Sequence, residues 1–316
     1  MLSVRIVPWM FVALTAPAQS DDISHRLRTA LSSTSSGELA STALANHDYA
    51  RVEQILAAFT PQTPAEGAEI LSLQAGVEFL DGKMAAAARD FQKAAELSPL
   101  RDGDTFTFAM ALVNLGDEAD ARPLLTALAE RRPREAIYIY WLGRLDYSQR
   151  RYKEAVMKLT RASELDPQSA RVWDSLGLAF DMQGLMDQAL EALQKAVTLN
   201  RPLAHPSPWP PHDLGFLLLR MDQTKEAEAL LREALRYDPH LAQTHYHLGR
   251  VLEKEGHDTE AVEEYRGAIA ADATSPDACY SLAMLYRKLH RDTEATAMFA
   301  EYKKRKQETA AAPNSK

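Results

Sequence analysis

The chain has 316 residues, of which 46% are hydrophobic and 25% charged, and its formal net charge at pH 7 is −8. That composition is typical of a globular protein large enough to build a substantial core. The acidic balance argues against a nucleic-acid partner, because phosphate binding depends on clustered Lys and Arg. The single cysteine, Cys279, excludes an intramolecular disulfide.

The first 18 residues have the pattern of a secretory signal peptide. Arg5 supplies a positive charge, residues 6–14 form an apolar core, and the small residues at 16–18 offer a cleavage site. The apolar run is shorter than the roughly 20 residues that a membrane-spanning helix needs. We therefore expect an exported chain, periplasmic or extracellular, without a stable membrane span after cleavage. An uncleaved anchor and a misassigned start are the alternatives.

Residues 19–32 are polar, and we expect a flexible lead-in there. A degenerate repeat follows over 33–66. Its segment 48–50 resembles the start of a second helix, although Val52 stands near the position that later repeats give to alanine. Terminal repeats are often atypical because one of their sides faces water.

The rest of the chain repeats with a period of 34 residues, apart from one longer interval of 38 between residues 189 and 227. One position of every repeat is alanine: Ala87, Ala121, Ala155, Ala189, Ala227, Ala261 and Ala295. A Leu-Gly pair recurs at 142–143, 176–177, 214–215 and 248–249. Prolines close several repeats, because the residue before a proline avoids the helical region.

Each repeat has the pattern of two amphipathic helices joined by a short turn. Four of these turns carry a glycine, at Gly82, Gly116, Gly184 and Gly256. A glycine on the first helix opposite an alanine on the second lets the two helix axes approach to about 8–10 Å. One such pair cannot bury its own apolar face, so neighbouring repeats must stack.

Trp173, the pair Leu176-Gly177, Phe180 and Ala189 stand at spacings that resemble the tetratricopeptide repeat. The resemblance implies an all-α fold, a right-handed α-solenoid of about eight helix-turn-helix repeats whose first helices line a concave groove. The repeats are expected near 33–66, 68–101, 102–135, 136–169, 170–203, 208–241, 242–275 and 276–309. A disordered tail is expected over 310–316.

The longer interval contains a proline-rich insertion at 201–211. In one interpretation it is only a longer joint, and its last prolines lead into the next helix, whose first turn tolerates proline. In the other it is an exposed lip that places Trp209 and His205 at the edge of the groove. We favour the first interpretation, since proline-rich loops often serve as spacers.

Positions spaced four and then three residues apart share one side of each first helix. This stripe is apolar at Phe106, Met110 and Val113, whereas later repeats supply Tyr and Arg, residue types that often anchor protein interfaces. By the resemblance, the stripe is the wall of the groove. The candidate ligand-groove residues, which include Trp209 from the edge of the insertion, are Tyr140, Arg144, Tyr147, Trp209, His212, Phe216, Tyr246, Arg250, Tyr280 and Arg287. The alternative is that these side chains pack between adjacent repeats without a ligand.

Catalytic and cofactor-binding patterns are absent from the sequence, and we expect no enzyme activity, cofactor or metal. His245 and His247 are two residues apart, so on a helix they point in different directions and cannot chelate one ion. We expect His245 to be a packed core residue, because it occupies the position of Trp173. Cys279 is expected to be buried on an apolar stripe.

We therefore expect a non-enzymatic scaffold or interaction protein whose groove binds an extended peptide or a partner helix. Chaperone-binding members of the family use Lys and Asn where Tyr140 and Arg144 stand, which argues against a cytosolic chaperone tail as the ligand. An accessory or spacer subunit of an envelope enzyme or secretion complex, docked by its convex face, is the second hypothesis. Tyrosine also stacks on sugars, so peptide and glycan ligands both remain open, as does the oligomeric state.

Overall fold

The computed structural model describes residues 12–31, 35–272 and 276–311. Over these ranges the regular structure is entirely helical, which confirms the predicted all-α repeat fold. The helices are α1 (Val12–Ala30), α2 (Ser36–Ala45), α3 (Tyr49–Ala57), α4 (Pro64–Leu80), α5 (Met84–Leu97), α6 (Asp102–Leu115), α7 (Glu118–Arg131), α8 (Ala136–Ser148), α9 (Tyr152–Leu165), α10 (Ala170–Met182), α11 (Met186–Asn200), α12 (Trp209–Arg220), α13 (Thr224–Tyr237), α14 (Ala242–Glu255), α15 (Asp258–Ala271), α16 (Asp277–Lys288) and α17 (Asp292–Ala311).

The chain divides into two compact units, an N-terminal unit (Met1–Ser148) and a C-terminal unit (Gln149–Lys316). In the N-terminal unit α4 packs on α5 and α6 on α7, and in the C-terminal unit α10 packs on α11, α12 on α13, α14 on α15 and α16 on α17. These are the first and second helices of successive repeats. The division between the units falls inside the predicted repeat 136–169.

The recurring alanines lie in the core of the repeats. Six of the seven are completely buried, and Ala295 is 2% exposed. A Cβ atom placed on Gly177 of α10 would lie 3.2 Å from the carbonyl oxygen of Ala189 and only 2.6 Å from Cγ of Leu193. The predicted close approach of glycine and alanine is therefore confirmed at this pair.

The turns between paired helices adopt the left-handed conformation that favours glycine. All four predicted turn glycines have positive φ, from 75° at Gly184 to 83° at Gly116. In other repeats the equivalent residue also has positive φ but is not glycine: Arg150, Asp222 and His290. The turn geometry is thus common to the repeats, whereas the glycine is not.

The proline-rich insertion is tied to the end of α11. Asn200, which is buried, donates to the carbonyl oxygen of Ser207 and accepts from its backbone N–H, both at 2.8 Å. Helix α12 then begins at Trp209 with Pro210 and Pro211 in its first turn. Trp209 is half-buried in the helix and not on an exposed lip, which favours the interpretation of the insertion as a joint.

The N-terminal segment differs from the expected flexible lead-in over 19–32. Helix α1 continues to Ala30, and Ile23, Leu27 and Leu31 are buried. These three residues recur every four positions, so they form one apolar stripe on the helix. The expectation was wrong for residues 20–31 because polar residues outnumber this stripe. Residues 1–11 of the expected signal peptide lie outside the described residues, and 12–18 form the start of α1.

The opposite end of the chain extends the last repeat. Helix α17 runs to Ala311, two residues beyond the predicted boundary at 309. Residues 312–316 of the expected disordered tail lie outside the described residues. No helix within the described ranges is long and apolar enough to cross a membrane.

Candidate functional site

Seven of the ten candidate residues lie in the C-terminal unit, on the first helices α12, α14 and α16. The other three, Tyr140, Arg144 and Tyr147, lie on α8 of the N-terminal unit. Tyr140 is only 2% exposed and packs edge-on against Trp141, with ring centroids 5.2 Å apart. It is a core residue, so its prediction as a groove residue is corrected. Arg144 and Tyr147 are half-buried.

His212 also proves to be a core residue. It is 5% exposed, and its Nδ1 atom lies 2.8 Å from the hydroxyl of Thr244 on α14. The ring of Trp209 packs edge-on against it at 5.6 Å. Burial lowers the pKa of His212 to about 4, so the imidazole is neutral at neutral pH. His212 therefore joins α12 to α14 and is buried, in contrast to the exposed position expected of a groove residue.

His247 is a central residue of the same interface that the sequence analysis passed over. The Phe216 ring stacks on it at 4.3 Å, and the rings of His212 and Tyr246 lie 5.4 and 5.3 Å away. Its Nδ1 atom is buried and has no hydrogen-bond partner among the described residues. Burial, then the neighbouring His212 and Arg250, lowers its pKa well below the usual value.

The position of His247 in the sequence gave no signal of this role, because it lies one residue beyond the predicted stripe. His245, which we expected in the core, is only half-buried. It bonds Glu264 at 2.7 Å and the carbonyl oxygen of Pro239 at 2.9 Å. The hydrogen bond to Glu264 raises its pKa despite partial burial. Of the two histidines, His247 is the core residue.

The accessible part of the stripe forms what we call the Tyr/Arg face: Phe216, Tyr246, Arg250, Tyr280 and Arg287. Phe216 and Tyr246 are half-buried, and the other three are exposed. The Arg250 guanidinium lies over the Tyr246 ring, 5.8 Å from its centroid. Such a cation–aromatic contact restricts the arginine side chain without neutralising its charge.

An open cavity of about 510 Å³ lies beside Arg250. Most of its walls come from three first helices, with one residue from the second helix α15: Leu219 of α12, Arg250, Glu253 and Lys254 of α14, Tyr265 of α15, and Ser281 and Lys288 of α16. The two lysines are already ion-paired, Lys254 with Asp222 and Lys288 with Asp258 at 2.6 Å. These lysines continue a series of basic residues on the first helices α12, α14 and α16, namely Arg220, Lys254 and Lys288. The sequence contained a signal for this series, because successive members are 34 residues apart.

The two arginines of the Tyr/Arg face differ from the lysines. In the part of the chain that the structure describes, neither Arg250 nor Arg287 is ion-paired with a carboxylate. A guanidinium presents a planar fork of donors that matches a carboxylate. Both arginines are therefore available to an acidic ligand.

The outer end of the Tyr/Arg face is aromatic and apolar. Tyr280 is 46% exposed and packs against Phe299 and Tyr302 of α17, with ring centroids 6.0 and 5.3 Å apart. Met284, on the same side of α16, is 41% exposed. These side chains provide apolar contact area beside the two arginines.

Catalytic chemistry has no comparable support. Within the described ranges, no three His, Cys, Asp or Glu side chains are grouped so that they could hold a metal ion. Cys279 is completely buried, as expected, and burial raises the pKa of its thiol. A buried thiol of this kind is a poor nucleophile.

Paired helices in register, with a Tyr/Arg face on the first helices, define a helical-repeat protein of the interaction type. The model of the tetratricopeptide repeat family matches residues 106–170, 143–204 and 212–276, together more than half of the chain. The chain belongs to the tetratricopeptide repeat family, whose members generally serve as non-enzymatic interaction modules.

Among curated proteins, human tetratricopeptide repeat protein 7A is 27% identical over 144 residues, which are 45% of this chain. The chain spans only 16% of the length of that relative. Among solved structures, the anaphase-promoting-complex hetero-tetramer Cut9–Hcn1 matches 97% of this chain and 56% of its own, with a TM-score of 0.62 and 14% identity. MamA from Desulfovibrio magneticus matches 55% of this chain and 96% of its own, at 24% identity and a TM-score of 0.48. The Cut9–Hcn1 match bears on the fold alone.

Proposed function

We propose that the protein binds a segment of a partner protein on the Tyr/Arg face of the C-terminal unit. The observation that carries the proposal is the pair of exposed arginines, Arg250 and Arg287, which have no carboxylate partner among the described residues. The bound segment is an extended peptide or a helix with acidic side chains for the arginines and apolar ones for Tyr280 and Met284.

Electrostatics explains why these arginines, and not the neighbouring lysines, are the anchors. A ligand carboxylate that approached Lys254 or Lys288 would have to displace Asp222 or Asp258. A ligand carboxylate can pair with Arg250 without displacing another carboxylate, and the contact with Tyr246 already limits the rotamers of Arg250. A hydrogen bond to a charged group contributes about 1.5–3 kcal/mol. Loss of one arginine should therefore weaken binding roughly tenfold to a hundredfold.

The ligand chemistry favours peptide over neutral glycan. Tyrosine rings alone serve both ligand classes, but an uncompensated guanidinium selects carboxylates.

We also propose that the protein acts outside the cytoplasm, on the basis of the signal-like residues 1–18. Expression in a bacterial host should then yield a periplasmic chain beginning at Gln19 by mass spectrometry. An intact chain found only in the cytoplasm would refute this proposal of export.

The binding proposal is tested by probing an array of immobilised random peptides with the full chain. The bound peptides should be enriched in Asp and Glu next to apolar residues. A synthetic peptide from that set should lose affinity for the Arg250→Ala and Arg287→Ala variants. Arg236→Ala is the matched control, because Arg236 is an exposed arginine on the second helix α13 of the same unit.

Two results would contradict the proposal. One is equal binding by wild-type chain and both arginine variants, with melting curves that show an intact fold. The other is a stoichiometric partner that remains bound to a chain lacking both arginines. The second result would favour the alternative of a spacer subunit docked through other surfaces.

A further inference from the structure

In the N-terminal unit, α1 packs against the first helix α4. A Cβ atom on Gly76 of α4 would lie 2.9 Å from Cδ1 of Ile23. Gly76 stands at the stripe position that Arg250 holds in its own repeat, counting by the repeat interval. Helix α1 therefore lies on the side of α4 that corresponds to the Tyr/Arg face of the C-terminal unit.

Two glycines make this close packing possible. Besides Gly76, Gly37 of α2 approaches the backbone of α1, where a Cβ would lie 2.9 Å from Cα of Arg28 and from the carbonyl oxygen of Leu27. A side chain at Gly37 would collide with the backbone of α1 and push the helix away, whereas a side chain at Gly76 would displace the end of the Ile23 side chain. The surface of α2 and α4 is thus shaped as a trough for a helix.

A buried arginine fixes α1 in this trough. The guanidinium of Arg26 makes paired hydrogen bonds to Asp104 of α6, at 2.7 and 2.9 Å, and to Glu69 of α4, at 2.9 and 3.3 Å. Arg26 is 4% exposed and Asp104 7%. Burial would lower the pKa of Arg26, but the hydrogen bonds to Glu69 and Asp104 outweigh it and raise the pKa.

The trough is therefore specific for a defined kind of helix. Its floor accepts an apolar stripe (Ile23, Leu27 and Leu31), and its two carboxylates require one arginine within that stripe. Removal of the arginine would leave the buried Asp104 carboxylate without its counter-charge, which is strongly unfavourable. Glu69 would keep its second ion pair, with Arg101 at 3.3 Å. A lysine has no planar fork and would not replace both pairs of bonds.

We infer that this trough, formed by Gly37, Glu69, Gly76 and Asp104, is a helix-recognition site whose resident ligand is α1. A partner helix with the same pattern, an apolar stripe carrying one arginine, competes with α1 for the trough. In this way α1 sets an affinity threshold that the partner helix must exceed. The site lies in the N-terminal unit and does not depend on the proposed function of the Tyr/Arg face.

The test uses the full chain and a fluorescein-labelled synthetic peptide of residues 20–31. The peptide should bind weakly to the wild-type chain, because α1 fills the trough for most of the time. It should bind at least about tenfold more tightly to the Arg26→Ala chain, in which the trough opens more often. Fluorescence anisotropy measures both dissociation constants.

Matched peptides test the arginine requirement. A peptide with Arg26→Ala should bind at least about tenfold less tightly, because it leaves the buried Asp104 without its counter-charge and removes the hydrogen bonds to Glu69. A peptide with Arg28→Ala should bind like the parent, since the Arg28 side chain is 48% exposed and its carboxylate partner among the described residues is the exposed Glu38. The Arg250→Ala chain should bind the parent peptide as the wild type does, which separates this site from the Tyr/Arg face.

If the Arg26→Ala chain does not fold, amide hydrogen exchange of the wild-type chain tests the inference instead. Excess parent peptide should then accelerate amide exchange in residues 20–31 of the wild-type chain, since displaced α1 loses its protection. Equal binding of the parent and Arg26→Ala peptides would overturn the inference. So would unchanged exchange together with no peptide binding, because α1 would then be a permanent part of the fold.

Discussion

Replacement of Gly177 by alanine tests the packing on which every repeat depends. The new Cβ would lie 2.6 Å from Cγ of Leu193 and 3.2 Å from the carbonyl oxygen of Ala189. Leu193 is 1% exposed, so its branch point has no free space into which to move. Helices α10 and α11 would therefore have to separate.

Two effects of opposite sign determine the size of the change. Overpacking of a filled core costs about 1–3 kcal/mol. Alanine is also the better helix former, by up to about 1 kcal/mol. We expect a net loss of roughly 1–2 kcal/mol in the free energy of unfolding. Guanidinium denaturation followed by circular dichroism measures it as a lower midpoint.

A matched glycine-to-alanine substitution in an open position should not lower the free energy of unfolding. Gly103 in α6 is exposed, and no atom lies within 4 Å of the position that a Cβ would take there, so Gly103→Ala should be neutral or slightly stabilising. In a Leu193→Ala background the two closest atoms are gone and only the 3.2 Å contact with the Ala189 carbonyl oxygen remains, so Gly177→Ala should destabilise the chain less than it does in the wild type. A Gly177→Ala variant as stable as the wild type would refute this account of the close approach.

Three other predictions concern buried polar groups and the thiol. The pKa of His212 is lowered to about 4 in the folded chain and is about 6.5 in the unfolded chain. Between these two pH values His212 is protonated only in the unfolded chain, which lowers the stability of the fold as the pH falls. The stability advantage of wild type over His212→Asn should shrink between pH 6.5 and 4, and a constant difference would contradict this. Asn200→Ala should lower the free energy of unfolding by about 1–3 kcal/mol, since it leaves the backbone N–H and C=O of Ser207 without their hydrogen bonds to Asn200. An unchanged denaturation midpoint would show that these hydrogen bonds do not stabilise the proline-rich insertion. Cys279 should react with a disulfide reagent only as fast as the chain unfolds, and immediate labelling would show an open core.

The repeat period made the helix pairs predictable because the same packing problem recurs in each repeat. The glycine and alanine spacing alone located the close approach later seen between Gly177 and Ala189. The turns were equally regular. Positive φ at Arg150 and His290 shows that the geometry persists where the glycine signal is lost.

Helix α1 was not predictable in the same way, because its stabilising contacts are distant in sequence. Arg26 and Asp104 are 78 residues apart, and no repeat relates them. Taken alone, residues 19–32 have too many polar side chains to indicate a buried helix. Only the packing against α2 and α4 shows that Ile23 and Leu27 face a core.

The candidate site was predicted in part. The spacing of four and then three residues selected the side of the first helices that carries Arg250 and Tyr280. It could not separate the exposed residues on that side from the buried ones. Burial depends on the neighbouring helix: the His212 ring is enclosed where it meets α14 and bonds the hydroxyl of the buried Thr244. Such pairings follow no repeat and require coordinates.

Site-specific photocrosslinking tests the central claim most directly, because it reports which face of the C-terminal unit meets a partner. Benzoylphenylalanine placed at position 280, where Tyr280 is 46% exposed on the first helix α16, should crosslink the bound acidic peptide. The same group at position 157, where Met157 is 72% exposed on the second helix α9, should not. Crosslinking from position 157 with none from position 280 would contradict recognition by the Tyr/Arg face.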